Sequence, residues 1–146
     1  MNLELRIATA ADVETLFDIR TSVTQNHLSR EQMAGLGITP EALASILEQE
    51  PCAWIAHRNG EAAGFAMVDG EIGEVFALFI RPGFESLGIG RALMARAEDY
   101  LFQRHALIWL VTDGNPGIRA NGFYQRLGWQ RVGRVDARDV RYEKRR

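Results

Sequence analysis

Three short apolar runs, residues 52–57 (CAWIAH), 61–69 (EAAGFAMVD) and 74–80 (EVFALFI), follow one another with only a turn's worth of chain between them. The breaks carry Asn59-Gly60 and Asp69-Gly70, dipeptides that adopt the positive φ angles of tight hairpin turns at little cost. The spacing therefore predicts an antiparallel meander. Its third run is apolar almost throughout, as a central strand covered on both faces would be. That run stops at Pro82-Gly83, and a glycine-containing loop leads into a long helix over residues 88–105, where Ile89, Leu93, Ala97, Tyr100 and Leu101 mark an apolar stripe.

The flanks extend this plan. Residues 3–8 alternate as a strand does, and Thr9 with Asp12 three positions later is a helix-start signature. Val13, Leu16 and Phe17 share one face of the helix that follows, with Arg20 extending it. Residues 24–38 read as a loop or broken helix. Thr39-Pro40-Glu41 opens another helix with a capping hydroxyl, proline at its first position and an acid in its first turn; Leu43, Ile46 and Leu47 form its expected buried stripe. Residues 107–112 (LIWLVT) read as a strand, 117–127 as a shorter helix stopped by Gly128, and 129–135 and 139–144 as closing strands. The order β-α-α-β-β-β-α-β-α-β-β, with no linker, predicts one domain over residues 1–146 and a mixed sheet with helices on its faces.

Composition narrows the function classes. Cys52 is the only cysteine, so no internal disulfide forms; it reads as a small buried hydrophobe, and a cytoplasmic home follows. The N-terminus lacks a signal-peptide profile and no apolar run is long enough to span a membrane. Residues 1–125 carry 9 basic and 16 acidic side chains, residues 126–146 carry 8 and 3. The basic C-terminal run is interrupted by Asp136, Asp139 and Glu143 and has no aromatic series beside it, so no nucleic-acid partner is expected. The acidic body mildly favours cationic substrates. No spacing among His27, His57 and His105 suits a metal, and the GxSxG elbow of a serine hydrolase does not occur.

The segment that carries chemistry is residues 80–93, IRPGFESLGIGRAL. A strand runs into a tight loop and then a helix start, with glycines at 88 and 90. Bare backbone N–H groups there, helped by the helix dipole, can cradle a phosphate or pyrophosphate. Neither the Walker-type sequence nor the three-glycine dinucleotide fingerprint is present.

This segment resembles the acyl-coenzyme A motif of the GNAT superfamily of N-acetyltransferases, with Pro82, Gly88, Gly90 and Leu93 in register. Glu85 stands where that family usually has Gln or Arg, and Ser86 and Leu87 replace its common Gly and Lys. Residues 117–129 (GIRANGFYQRLGW) resemble the family's fourth-helix segment through Ala120, Tyr124 and Leu127-Gly128-Trp129, although Gly117 stands where Asn is frequent and Asn115 lies two residues earlier. The opening RIATAADVETLFDIR resembles its first strand and helix.

The resemblance implies an α/β (α+β) fold, a mixed and mostly antiparallel sheet of six or seven strands flanked by about four helices. It implies an acetyltransferase that takes acetyl-coenzyme A as acyl donor and moves the acetyl group to a small-molecule or peptide amine by direct attack in a ternary complex. Cofactor contacts would come from Leu78, Phe79 and Ile80 on the strand, Ser86, Leu87, Gly88, Ile89, Gly90 and Arg91 in the loop and helix start, and Arg119. Arg91, Arg81 or Arg119 would supply the positive charge that Glu85 does not. The resemblance gives Tyr124 the proton for the leaving thiolate, against a core aromatic as the other reading. It gives Glu74 the amine proton, with Glu71 as substitute and an exposed strand-end carboxylate as the plain alternative. Arg20, Asn26 and His27 would wall the acceptor pocket, and a second copy of the chain is the protein partner such folds take through a last strand. Two further readings stand beside the enzyme: an acyl-coenzyme A–binding regulatory domain without turnover, and an interaction module of the same fold.

Overall fold

The computed structural model describes residues 2–25 and 27–146. Strand β1 (Leu3–Ile7) leads through a single 3-10 turn (Ala10–Asp12) into α1 (Val13–Ser22), then α2 (Arg30–Gly35) and α3 (Pro40–Gln49). The meander follows as β2 (Ala53–Arg58), β3 (Glu61–Asp69) and β4 (Glu74–Ile80), then α4 (Ile89–Phe102), β5 (Leu107–Asp113), α5 (Arg119–Arg126), β6 (Gln130–Arg134) and β7 (Asp139–Arg145). All seven strands form one sheet in the order β1-β2-β3-β4-β5-β7-β6. Every neighbouring pair is antiparallel except β4 and β5, which run parallel. The mixed, mostly antiparallel sheet expected from the sequence is present, flanked by five α-helices among the described residues.

Local chemistry explains most of the boundaries. Asn59 (φ 51°) and Gly60 (φ 83°) make the two-residue β2–β3 turn. The β3–β4 connection differs from the tight turn expected at Asp69-Gly70: it takes four residues and places its left-handed residue at Gly73 (φ 78°). The Thr39 hydroxyl accepts from Ala42 N at 3.2 Å, with Pro40 opening α3. Gly128 (φ 90°) ends α5.

Helix α4 packs one face of the sheet through Ile89, Leu93, Met94, Ala97 and Leu101, all fully buried. Each of these but Ala97, whose single methyl contributes less, adds about 1.5–3 kcal/mol of transfer free energy. Helix α1 covers the other face with Leu16, Phe17 and Ile19. Two expectations fail here. Ile46 of α3 is exposed, and only Leu47 of that helix is buried. β4 is not a strand covered on both faces: Val75 alone is buried and residues 77–80 are half-exposed, because β5 diverges from it. Cys52 is fully buried, which pushes its thiol up to about 11. Among the described residues no helix is long and apolar enough to cross a membrane.

Asp12 ties the chain's entry to the core. Its carboxylate takes Arg6 at 2.7 and 2.9 Å and the Thr9 amide at 2.8 Å. The Arg6 guanidinium holds it down, from 3.8 to about 2. A depressed carboxylate contributes stability above its unfolded pKa and loses it as pH falls through the folded value. Arg6 is half in solvent, which screens the pair, so Asp12→Asn is expected to cost about 1 kcal/mol at pH 7. Urea unfolding should show the difference from wild type shrinking as the pH drops from about 4 towards 2.

Candidate functional site

The site begins where the sheet opens. β4 and β5 share one paired position, Glu74 with Trp109, although β4 continues to Ile80 and β5 to Asp113. Beyond that pair the strands splay, and the β5-facing edge of residues 75–80 has no strand partner among the described residues. Unpaired main-chain groups on a strand edge are binding groups awaiting a ligand. β4 also carries a bulge at Phe76, between Val75 and Ala77, which re-aims the strand at this point. The wedge between the strands is a cleft of about 1000 Å³. Its floor is Leu78, Phe79 and Ile80, one wall is the loop and start of α4, and the other is α5 with the end of β5.

The loop after β4 holds the amides the sequence suggested. Ser86 (φ 62°) and Gly88 (φ 81°) are both left-handed, a conformation that turns successive N–H groups to one side. The amides of residues 85–88 make no hydrogen bond among the described residues, and Gly88 caps α4 without any side-chain cap, so the first helical N–H groups are bare as well. Glu85, the misplaced acid of the motif, turns back: its Oε1 accepts from Gly83 N at 2.8 Å. The Arg119 guanidinium reaches the loop instead, donating to Ser86 Oγ at 3.2 Å. Arg91 lines the same wall, whereas Arg81 is drawn away to the Ala62 carbonyl at 2.8 Å. The donor set, bare amides with two guanidinium groups, suits a diphosphate. Gly90 has a packing role too, since a Cβ there would lie 3.3 Å from the Phe123 ring.

Tyr124 sits in the opposite wall. Its ring packs on Tyr142 at 5.6 Å and Trp129 at 6.4 Å, which fixes it, while the residue still lines the cleft. Its hydroxyl makes no hydrogen bond among the described residues. Burial, with Tyr142 beside it, pushes the phenol up to about 12, so it stays protonated at neutral pH. A side chain that sequence reasoning missed positions the helix: buried Asn121 donates to the Asp113 carbonyl at 2.8 Å and accepts from the Tyr142 hydroxyl at 2.9 Å. It thereby ties α5 to the end of β5 and the middle of β7. An Asn mid-helix beside two aromatics gives no periodic signal, so only the contacts show it. Asn115 acts locally, accepting from Gly117 N at 2.9 Å.

The other expected residues divide. Leu78, Phe79, Ile80, Ser86, Gly88, Gly90, Arg91, Arg119, Tyr124, Arg20 and His27 all line the cleft. Leu87 points outward and Ile89 inward to the core, so each brings only its backbone to the loop. Glu74 lies at the closed end, at the last paired position, and is not among the lining residues. Burial, with Asp69 beside it, raises its carboxyl above 4.5. Asn26 lies outside the described residues. Gln25, next to it and not singled out from sequence, bridges the cleft mouth: its amide donates to Gly117 O at 3.1 Å and accepts from Arg119 N at 3.2 Å. A smaller hollow of about 300 Å³ beside Asn2, Arg6 and His57 lies on the outer strand, away from all of these.

Solved structures share this architecture end to end. The paiA N-acetyltransferase of Thermoplasma acidophilum, in complex with coenzyme A, superposes with a TM-score of 0.82 over 100% of both chains at 18% identity. YncA of Salmonella typhimurium, a putative acetyltransferase with acetyl-CoA, gives 0.75 over 98% of this chain and 93% of its own at 15% identity. In sequence, the peptidyl-lysine N-acetyltransferase YjaB of Escherichia coli is 30% identical over 118 residues, 80% of this chain and 73% of that protein. An uncharacterized N-acetyltransferase of Archaeoglobus fulgidus is 33% identical over 79 residues, 48% of this chain and 54% of that protein. The match thus spans about half of the Archaeoglobus relative, and 28% and 38% of two others. The profile of the acetyltransferase (GNAT) family matches residues 14–129. With that match over most of its length, and a splayed β4–β5 wedge beside a glycine loop, the chain belongs to the acetyltransferase (GNAT) family.

Proposed function

We propose that this chain is an N-acetyltransferase that moves an acetyl group from acetyl-coenzyme A to a primary amine by direct attack in a ternary complex. The observation that carries the reading is the junction of an unpaired strand edge with a loop of bare amides in one cleft. The bare amides of residues 85–88, the start of α4, Arg119 and Arg91 would hold the diphosphate. The free edge of β4 around Leu78, Phe79 and Ile80 would hold the amide-bearing arm. Bound acetyl-coenzyme A supplies an activated acyl carbon as a thioester.

The chain's own groups account for the remaining requirements. Main-chain N–H groups of β4 polarise the acyl carbonyl. Tyr124, protonated at working pH, gives its phenolic proton to the departing sulfur. An alkyl amine is mostly protonated at neutral pH, so its proton must leave. Glu74, at the closed end of the wedge and raised by burial, takes that proton through water. A base works in its ionised form, which is lost as pH falls through its pKa. Glu74→Gln should therefore lower kcat/KM and flatten the acid limb of the pH profile. An unchanged limb would hand the role to another carboxylate, such as the cleft-lining Asp113.

The non-catalytic reading, an acyl-coenzyme A–binding domain without turnover, draws on Glu85 in the phosphate loop and on Leu87 where the family has Lys. With Glu85 engaged by Gly83 N, that argument weakens. Incubation with acetyl-coenzyme A and a panel of amines, following released thiol, tests the proposal. Amine-dependent thiol release supports it, and coenzyme A binding with no release on any amine favours the sensor.

A further inference from the structure

Arg20 is the one cleft-lining arginine that combines burial with an unanswered charge. It lies in the last turn of α1, with its guanidinium carbon 4.2 Å above the Phe79 ring. Its Nη1 is buried with no hydrogen-bond partner, and no carboxylate lies within 4.0 Å of it among the described residues. Of the other cleft-lining arginines, Arg138 is engaged by Asp139 at 2.9 Å and Arg119 by Ser86, while Arg91 and Arg126 are exposed to solvent. Desolvation lowers the Arg20 pKa, with no opposing partner. Arginine nevertheless stays charged, so the fold keeps a partly desolvated cation facing a cavity with nothing to neutralise it. That is costly unless a ligand supplies the counter-charge.

The side of the strand on which Arg20 sits separates it from the phosphate loop. Ile80 faces α4, because its Cδ1 lies 3.9 Å from a Cβ placed on Gly90. Neighbouring strand residues point to opposite faces, so Phe79, and Arg20 stacked on it, face α1. The diphosphate would bind at the start of α4, on the other side. Gln25 spans the mouth from the α1–α2 segment to α5, and Thr24, His27 and Leu28 of the segment that follows Arg20's helix line the same cleft.

We infer that Arg20 selects the acceptor, and that the amine this enzyme acetylates carries a carboxylate which the guanidinium binds. This rests on the transferase reading above and deepens it by naming the substrate class. It also departs from what the acidic composition of the chain suggests, since the field at the acceptor site is set by one local cation rather than by net charge. Arginine suits the task because its planar fork can meet both carboxylate oxygens at once.

The test uses ω-amino acids and their amides of equal chain length as matched acceptors, with kcat/KM compared per neutral amine at fixed pH. Wild type should prefer the acid by roughly 10- to 100-fold, expressed in KM. In Arg20→Gln the acid-to-amide ratio should collapse to near unity whatever the variant's absolute rate, and Arg20→Lys should restore part of it. Binding of the same pairs to the coenzyme A complex is measured by calorimetry in parallel. If no amine releases thiol, the transferase reading fails, while the calorimetric acid-to-amide ratio still decides the role of Arg20. A wild-type protein that treats acid and amide alike, or a preference retained in Arg20→Gln, overturns the inference.

Discussion

Replacing Tyr124 with Phe is expected to cut kcat by a hundredfold or more while coenzyme A still binds and stabilises the protein. General acid catalysis contributes about 10²–10⁴ where a thiolate must leave, and the substitution removes one oxygen and little else. The packing of the ring on Trp129 and Tyr142 does not involve the hydroxyl, which makes no hydrogen bond among the described residues, so stability should change little. A phenol pushed up to about 12 stays protonated at neutral pH, so its proton is present for the departing thiolate. Steady-state thiol release with thermal unfolding in the presence of coenzyme A separates the two effects. A variant that keeps kcat would return Tyr124 to the role of a core aromatic.

The second large effect is expected at Gly88. Its φ of 81° lies where β-branched residues are strained, and no heavy atom lies within 4 Å of a Cβ built there. Crowding is therefore not the obstacle in Gly88→Val; backbone geometry is. Holding valine in that conformation costs about 1–3 kcal/mol, so the loop relaxes and its bare N–H groups lose their common direction. Affinity for coenzyme A should fall by about tenfold or more, seen by calorimetry, with the sheet intact by circular dichroism. Full affinity in the variant would mean that the loop amides do not hold the diphosphate.

Several pieces of this architecture were legible in the sequence because they are local. Asn59-Gly60, Thr39-Pro40 and Gly128 each satisfy a backbone demand within a few residues, and each structural boundary falls where it was expected. The glycine loop and Tyr124 were legible through motif resemblance, and the structure brings them to opposite walls of one cleft. What stayed hidden depends on distant chain. The divergence of β4 from β5 shows only in their single paired position, so an apolar run that reads as a covered strand becomes a half-exposed cleft floor. The four-residue β3–β4 connection displaced the left-handed residue from Gly70 to Gly73. Periodicity placed Ile46 on a buried face with Leu47, but only Leu47 is buried there and Ile46 is left exposed. Asn121 and Gln25 act across 21 and 94 residues of chain respectively, separations at which residue type alone carries no signal.

The central claim is that the amides after β4 grip a diphosphate while the free edge of β4 takes the arm leading to Tyr124. Backbone amide chemical shifts recorded during a coenzyme A titration test it most directly. The account predicts the largest perturbations at residues 85–91 and, along the strand, at residues 77–80. Perturbations confined to other surfaces, or none at saturating coenzyme A, would contradict it.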